Sequence, residues 1–294
     1  MRTSNDRTGG PAVVADVPSH AMSTAEAGFE LLGEAGTLRD LIVDTWRSRD
    51  LIATLARKEF LVRYRRAFFG VLWALVIPLM QAAVLALVIP KLARFHTPGS
   101  YLLFVLSGTV AWTFFMSTIT QASTSIVDNQ AVTTRVYFPR SVLPISAVLS
   151  NLYSFVPTML ILGAITLATG HGSWRLLLLA PATIAACALT GALAIVLAAL
   201  HVYFRDVRYV VQAALLAWIY VTPVIYPLNA VRGIRPWLEI NPVTGVVELF
   251  RVATVGADNA WLPSLWWMLA WTVALLLVAG FLHRRFDRVF VDLL

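Results

Sequence analysis

The sequence predicts an all-α membrane protein that crosses the bilayer six times. Of its 294 residues, 59 % are hydrophobic and only 13 % are charged, and the mean hydropathy is +0.74. Soluble domains are about half apolar and about one quarter charged, so this composition excludes an ordinary soluble enzyme and a disordered chain. The single cysteine, Cys187, excludes both an intramolecular disulfide and a cysteine-based metal cluster.

Six apolar stretches contain no Asp, Glu, Lys, Arg or His and are long enough to cross a bilayer. A hydrocarbon core of about 30 Å requires about 20 helical residues. Alternation with period two is absent, and backbone groups in lipid must be paired internally, so we expect helices. The predicted spans are 67–90, 97–127, 141–170, 176–200, 209–231 and 260–282.

The arginines and lysines lie beside the spans and predict the orientation. Near the span ends, fourteen of them lie on the side of the two termini and six lie on the other side. Because cytoplasmic segments carry the excess of Lys and Arg, both termini are expected in the cytoplasm and the chain in the cytoplasmic membrane. The net charge of +7 then reflects topology, and no nucleic-acid partner is predicted.

Three regions follow from composition. Residues 1–36 are rich in Gly, Pro, Ser and Ala, which predicts a disordered cytoplasmic tail. Residues 37–66 combine an apolar stripe with a basic face and predict an amphipathic helix in the cytoplasmic interface, or alternatively a simple anchor on anionic lipid. Residues 67–294 form the predicted six-span domain.

Two connections between the predicted spans contain residues that a simple turn does not need. The segment 128–140 mixes Asp128 and Arg135 with Tyr137, which predicts a short cytoplasmic helix that docks into a partner, or alternatively aromatics lying at the interface. The segment 232–259 contains Asn241-Pro242, a typical helix start, and predicts a re-entrant helical hairpin beside a pathway.

Motifs of catalysis are missing from the sequence. Neither Lys58 nor Lys91 follows a glycine, so the chain has no phosphate-binding loop of its own, and the five histidines are scattered. No acidic residue lies in a predicted span, which disfavours proton or ion coupling. The sequence therefore predicts a transporter subunit with an uncharged membrane interior, no resident metal or cofactor, and no enzymatic activity.

The predicted spans carry many aromatic and neutral polar side chains. Aromatic rings stack on sugar rings, so these side chains suit a path for a glycan, although interfacial belts and helix packing use the same residues. The candidates for the path are Phe69, Trp73, Trp112, Phe115, Trp218, Tyr220 and Tyr226.

Five short motifs, in order over residues 46–294, together resemble one family. They are Arg63-Tyr64-Arg65 before Gly70, Trp73 and Pro78; Phe138-Pro139-Arg140 before Leu143-Pro144; Tyr203-Phe204-Arg205-Asp206; Thr222-Pro223-Val224-Ile225-Tyr226; and Asn241-Pro242. The sequence resembles the ABC-2 permeases that export polysaccharides.

The resemblance implies a homodimeric permease for a polyprenyl-diphosphate-linked glycan such as O-antigen, teichoic acid or galactan. A separate ABC ATPase subunit would bind the ATP and magnesium. The resemblance further implies an N-terminal interface helix, a coupling helix after the second span and a re-entrant pair over 234–255. The residues expected to contact the ATPase are Asp128, Asn129, Arg135 and Tyr137.

The basic residues before the first span form a cytoplasmic collar, defined as Arg57, Lys58, Arg63, Arg65 and Arg66. We expect a diphosphate to bind there as it enters, although these charges also serve topology. Three alternatives remain at this point: an ABC-2 exporter of drugs or lipids, a membrane enzyme acting on polyprenyl-linked sugars, and a scaffold for wall synthesis.

Overall fold

The computed structural model describes residues 38–92, 97, 100–133, 138–256 and 261–286, and every regular element within these ranges is helical. The predicted all-α class is therefore confirmed over the described ranges. The α-helices are α1 (Leu38–Arg47), α2 (Arg49–Tyr64), α3 (Trp73–Leu92), α4 (Tyr101–Ala122), α5 (Ser125–Asp128), α6 (Gln130–Thr133), α7 (Val142–Ala168), α8 (Leu179–Tyr203), α9 (Val207–Val221), α10 (Arg235–Ile240), α11 (Pro242–Thr254) and α12 (Leu262–Phe286). Short 3₁₀ turns cover Gly70–Leu72, Trp174–Leu178 and Leu228–Ala230.

Five of the described helices are long and apolar enough to cross a membrane: α3, α4, α7, α8 and α12. The predicted span 209–231 is not one helix, because α9 ends at Val221 after 15 residues. Thr222 precedes Pro223, whose ring disfavours helical backbone in the preceding residue, and Thr222 is extended. A helix of this length covers about 22 Å, which is less than the hydrocarbon core.

Helix α4 is the centre of the packed core. It lies against α3, α7, α8 and α11 and is buried along most of its length. Aromatic rings connect it to its neighbours: Phe114 and Phe155 have centroids 4.6 Å apart, and Phe155 and Phe250 are 5.8 Å apart. Because lipid tails are as apolar as these rings, close packing holds the helices together here more than water exclusion does.

The short helix α11 is buried between α4, α8 and α12. Its start is the one predicted from the sequence, since the Asn241 side chain accepts a hydrogen bond from the Val243 amide and Pro242 is the first helical residue. At Gly245 the backbone of α11 approaches α12 so closely that an added Cβ would lie 2.6 Å from the Ser264 carbonyl oxygen. A side chain at this position would push the two helices apart.

The segment predicted as one interface helix over 37–66 contains two described helices. They are α1 and α2, and the helix boundary falls at Ser48. The polar run Arg47-Ser48-Arg49-Asp50 interrupts the apolar pattern here. A single helix through this run would therefore have no continuous apolar face. Ile52 and Ala56 of α2 are buried as the helix packs against α7.

Candidate functional site

The predicted coupling segment begins at Asp128, the last residue of the single helical turn α5, which packs against α7 and α8. Ser125 and Ile126 are buried, whereas Asp128 is exposed. The Asn129 side-chain amide donates to the Ser125 carbonyl oxygen at 2.9 Å and closes the end of this turn. One side of the turn therefore contacts the membrane helices and the other presents a carboxylate.

The remaining two predicted coupling residues, Arg135 and Tyr137, lie outside the described residues. Helix α6 precedes them as a second short turn, and the described chain resumes with Phe138, which is buried against α7 and α2. The role of Arg135 and Tyr137 in contacting an ATPase stays a prediction.

A groove of about 250 Å³ lies between α2 and α5. Its lining brings Lys58 of the collar together with Asp128 and Asn129 of the coupling segment. These residues are about 70 positions apart in sequence, and no local pattern predicted their proximity. A partner that contacts α5 at this groove would contact α2 as well.

Arg63 differs from the other residues of the collar. All five residues of the collar are exposed on or after α2. Among the described residues, Arg63 is the one member of the collar that is hydrogen-bonded to the spans: its guanidinium donates to the Asn151 side-chain oxygen at 2.9 Å and also to the Gln121 side-chain oxygen. Arg63 thereby ties α2 to both α4 and α7.

Two further hydrogen bonds complete this network. The Gln121 amide donates to the Glu59 carboxylate at 2.7 Å, and the Asn151 amide donates to the Gln121 oxygen at 2.9 Å. Burial raises the pKa of the Glu59 carboxyl above its ordinary value of 4.5, and the nearby Arg63 charge opposes that increase in part. The network therefore joins α2 to the candidate spans α4 and α7, close in sequence to the start of the predicted coupling segment.

We expect Glu59→Gln to change how stability depends on pH. A carboxyl whose pKa is higher in the folded state binds its proton more tightly there, so the free energy of unfolding falls as pH rises from 4.5 through the raised value. The glutamine cannot titrate, so this slope should disappear from unfolding temperatures measured in detergent. Asp50→Asn is the control, because that side chain is 93 % exposed on the same helix. An unchanged slope in Glu59→Gln would contradict the assignment.

Two of the predicted path aromatics lie in the core of the chain. Trp112 and Phe115 are each only 2 % exposed, with ring centroids 5.7 Å apart. Phe115 also meets the Trp218 ring edge-on at 5.5 Å. Helix packing against α4 encloses both side chains in the single chain, and a role for Trp112 and Phe115 in lining a path stays a prediction.

The other predicted path aromatics reach the surface. Phe69, Trp73 and Tyr220 are 48 %, 42 % and 71 % exposed, on α9 and at the start of α3. Trp218 is half-buried and donates to the Asn241 side-chain oxygen at 3.0 Å, while the Tyr226 hydroxyl donates to the Tyr220 carbonyl at 3.0 Å. Exposed aromatics therefore occur next to and on α3 and on α9, and α12 carries four more: Trp266, Trp267, Trp271 and Phe281.

A buried ion pair lies on α11, between the predicted spans 209–231 and 260–282. The Arg251 guanidinium on α11 lies 2.7 Å from the Glu248 carboxylate, and the two side chains are 1 % and 10 % exposed. Arg251 also donates to the Val224 carbonyl oxygen at 2.8 Å and lies 3.7 Å from the centre of the Phe104 ring. The pair joins α4, the segment after α9, and α11.

The sequence contained a signal for this pair that the span count missed. Glu248 and Arg251 are three residues apart, so they share a side of α11, which also carries a buried apolar face. Arg251 was assigned to an external connection because it lies between the predicted spans 209–231 and 260–282. Because such pairs ordinarily lie on the exposed face of an amphipathic helix, only the structure shows that this one is buried.

Asn241 makes a second connection between α9 and α11. Its side-chain amide donates to the Val221 carbonyl and to the Thr222 hydroxyl, at 3.3 and 3.0 Å. Because Asn241 also accepts from Trp218 and from the first turn of α11, one side chain holds the end of α9. The end of α9 is thus fixed at two points, by Asn241 and by Arg251.

These features define a class: a helical multi-pass membrane protein with a basic helix, α2, before its first candidate span and a short helical turn, α5, between its spans. The comparisons with known proteins agree with this class. The chain belongs to the ABC-2 type transporter family, which matches residues 50–255.

The chain is also similar to individual proteins named as O-antigen export permeases. The chain is 31 % identical over 218 residues to the O-antigen export system permease protein RfbA of Myxococcus xanthus, covering 72 % of this chain and 82 % of that protein. Two proteins of the same name from Klebsiella pneumoniae are each 26 % identical over 208 residues, covering 69 % of this chain and 79 % of theirs. The family is that of a transporter subunit rather than an enzyme.

Proposed function

We propose that this chain is the permease subunit that exports a polyprenyl-diphosphate-linked polysaccharide across the cytoplasmic membrane. The observation that carries the proposal is the similarity, over about 70 % of the chain, to permeases named for O-antigen export. Those names favour a glycan over drugs or small lipids as the cargo.

Energy for export comes from a separate ABC ATPase, which the family implies. ATP and magnesium bind to that subunit, and its motion reaches the permease through α5 and α6. The position of α5 supports this role, because Ile126 is buried against the spans while Asp128 on the same turn is exposed. A push on the exposed side is transmitted to α7 and α8.

Two copies of the chain form the path. Helices α3 and α9 are the least covered apolar helices, and their exposed aromatics include Trp73 and Tyr220. A second copy placed against these helices covers them and leaves an aromatic-lined path between the protomers. ATP binding then parts α3 and α9 of the two copies.

Six crossings are completed by α9 together with the segment that follows it. α9 alone is too short to cross, so Thr222 to Leu228 extends it toward the outer surface, and the α10–α11 pair re-enters from that side. Burial of the polar backbone turn between Ile240 and Pro242 within protein makes such a re-entry possible. Both termini then lie in the cytoplasm.

The exposed collar residues provide the test of where the diphosphate enters. We expect Arg65→Ala and Arg66→Ala together to slow export of the lipid-linked glycan by about tenfold, as loss of charge-assisted hydrogen bonds to phosphate would. Both side chains are exposed, so folding should be unchanged. Accessibility labelling should show that both termini of the variant are still in the cytoplasm. If the substitutions change only the topology, and correctly inserted chains still export at the normal rate, the collar does not bind the diphosphate.

Depletion of the protein tests the proposed function itself. One lipid-linked glycan should accumulate on the cytoplasmic side of the membrane, and mass spectrometry of that lipid would identify the cargo. Unchanged glycans in depleted cells would contradict polysaccharide export.

Reconstitution tests the need for the ATPase. The permease purified without its ATPase should be inactive in liposomes, whereas rapid translocation without nucleotide would exclude the proposed mechanism.

A further inference from the structure

A cavity of about 300 Å³ lies between the end of α2 and the helices α3, α4 and α7. Its walls are largely apolar and include Trp73, Ile77, Val110 and Phe155. Trp73 and Ile77 are also 42 % and 57 % exposed, so the cavity reaches the surface of the chain along α3. In a membrane protein, that surface faces lipid or a second chain.

Polar groups follow one another along the α7 wall of this cavity. Asn151 lies beside the Arg63 guanidinium, and Ser154 follows one helical turn later, about 5 Å further along α7. Ser154 is only 6 % exposed, and its hydroxyl has no hydrogen-bond partner among the described residues. A buried hydroxyl without a partner is unfavourable, so the cavity offers a donor that an occupant could satisfy.

We propose that this cavity binds one acyl chain of an anionic phospholipid. The phosphate lies at Arg63, the ester carbonyl accepts a hydrogen bond from the Ser154 hydroxyl, and the hydrocarbon chain lies against Trp73 and Ile77. A phospholipid carries its ester carbonyls a few bonds below the phosphate, which matches one turn of α7. A prenyl phosphate has no carbonyl to pair with Ser154.

Size and charge are consistent with this occupant. A cavity of about 150 Å³ in another protein binds benzene, so about 300 Å³ accommodates about a dozen carbon atoms of a single chain. A guanidinium has five N–H donors, and the described bonds from Arg63 to Gln121 and Asn151 use two of them. The other donors suit a phosphate oxygen.

The bound lipid would fill the space between α3 and its neighbouring helices and could exchange with the bilayer. Helix α3 is the least buried of the candidate spans, and the cavity separates it in part from α4 and α7. A flexible acyl chain fills this space in any position of α3, so the helix can tilt without opening a void. This inference requires only that the chain is in a membrane, and it stands or fails independently of the exported cargo.

Photolabelling of the full chain in nanodiscs tests the proposal. The nanodiscs contain phosphatidylcholine with a small fraction of phosphatidylglycerol that carries a diazirine in one acyl chain. After illumination and digestion, mass spectrometry should find the label within residues 73–78 and 110–117. A matched phosphatidylcholine probe should label these peptides about tenfold less, because it lacks the net charge that Arg63 recognises.

Three variants make the result specific. Ser154→Leu fills the cavity and Arg63→Gln removes the charge, and each should reduce labelling by phosphatidylglycerol about tenfold. Ala164→Leu is the matched control on an exposed part of α7 and should label as the wild type does. If Ser154→Leu fails to fold, Ser154→Ala decides, because it removes only the hydroxyl, keeps the shape of the cavity nearly unchanged, and should still reduce labelling by phosphatidylglycerol.

Several outcomes would overturn the proposal. Equal labelling by the two phospholipid probes would show that the anionic headgroup is not recognised. Loss of the label on addition of an equimolar isoprenyl phosphate would assign the cavity to a prenyl chain. Labelling that persists in both Ser154→Leu and Arg63→Gln would place the lipid outside the cavity.

Discussion

Arg251→Met is expected to destabilise the permease more than any other single substitution considered. The change leaves the Glu248 carboxylate buried without its cation and leaves the Val224 carbonyl without a donor. Removing one partner of a buried ion pair costs about 3–5 kcal/mol. We expect little monodisperse protein after extraction, and a clear decrease in unfolding temperature for what remains.

The double variant Glu248→Gln with Arg251→Met separates the charge from the packing. It removes the stranded carboxylate, so a large part of the lost stability should return, as replacing both members of a buried pair is often close to neutral. Arg49→Met is the control, because Arg49 and Asp50 form an exposed pair at 3.9 Å and such pairs contribute little. Equal unfolding temperatures for Arg251→Met and the wild type would show that the pair does not hold α11.

The long apolar elements could be predicted because each is an uninterrupted run. Helix α7 was predicted over 141–170 and is observed over Val142–Ala168, and α11 begins at the predicted Asn241-Pro242 cap. Both predictions rest on signals that act within one or two helical turns. A bilayer strengthens such local signals, because it leaves a long apolar segment no alternative to a helix.

The burial of individual side chains could not be predicted in the same way. Trp112 and Tyr220 look alike in the sequence, yet one is 2 % and the other 71 % exposed, because α4 is surrounded by helices and α9 is not. Which helices surround which depends on tertiary contacts. The same reason explains why neither the burial of Arg251 nor the hydrogen bond from Arg63 to Asn151 was predicted.

Local backbone preferences explain the errors in length. The apolar run 209–231 has the composition of a span, but the helix ends at Val221, before Pro223. A hydropathy count does not detect this, because proline and its neighbours are counted only by their polarity. Similarly, the polar run at Ser48 divides the interface segment into α1 and α2. Composition indicated that these segments meet the membrane, and the prolines and polar residues decide where each helix ends.

Asp128→Arg is expected to abolish most of the coupling between the permease and its ATPase. Asp128 is the exposed residue of α5, and the groove beside it also holds Lys58 and Glu59. Reversing its charge places an arginine next to Lys58 and changes the surface that a partner would contact. Under the proposed function, ATPase activity stimulated by the assembled permease should fall about tenfold or more, as export should.

The control for this variant is Asp206→Arg, an identical charge reversal at an exposed position before α9. It alters net charge equally but lies outside the coupling segment, so stimulation of the ATPase should persist. Both variants should be expressed and extracted like the wild type, because neither side chain is buried. Full stimulation by Asp128→Arg would move the coupling contact away from α5, whereas an equal loss in both variants would show that overall charge, rather than this turn, governs assembly with the ATPase.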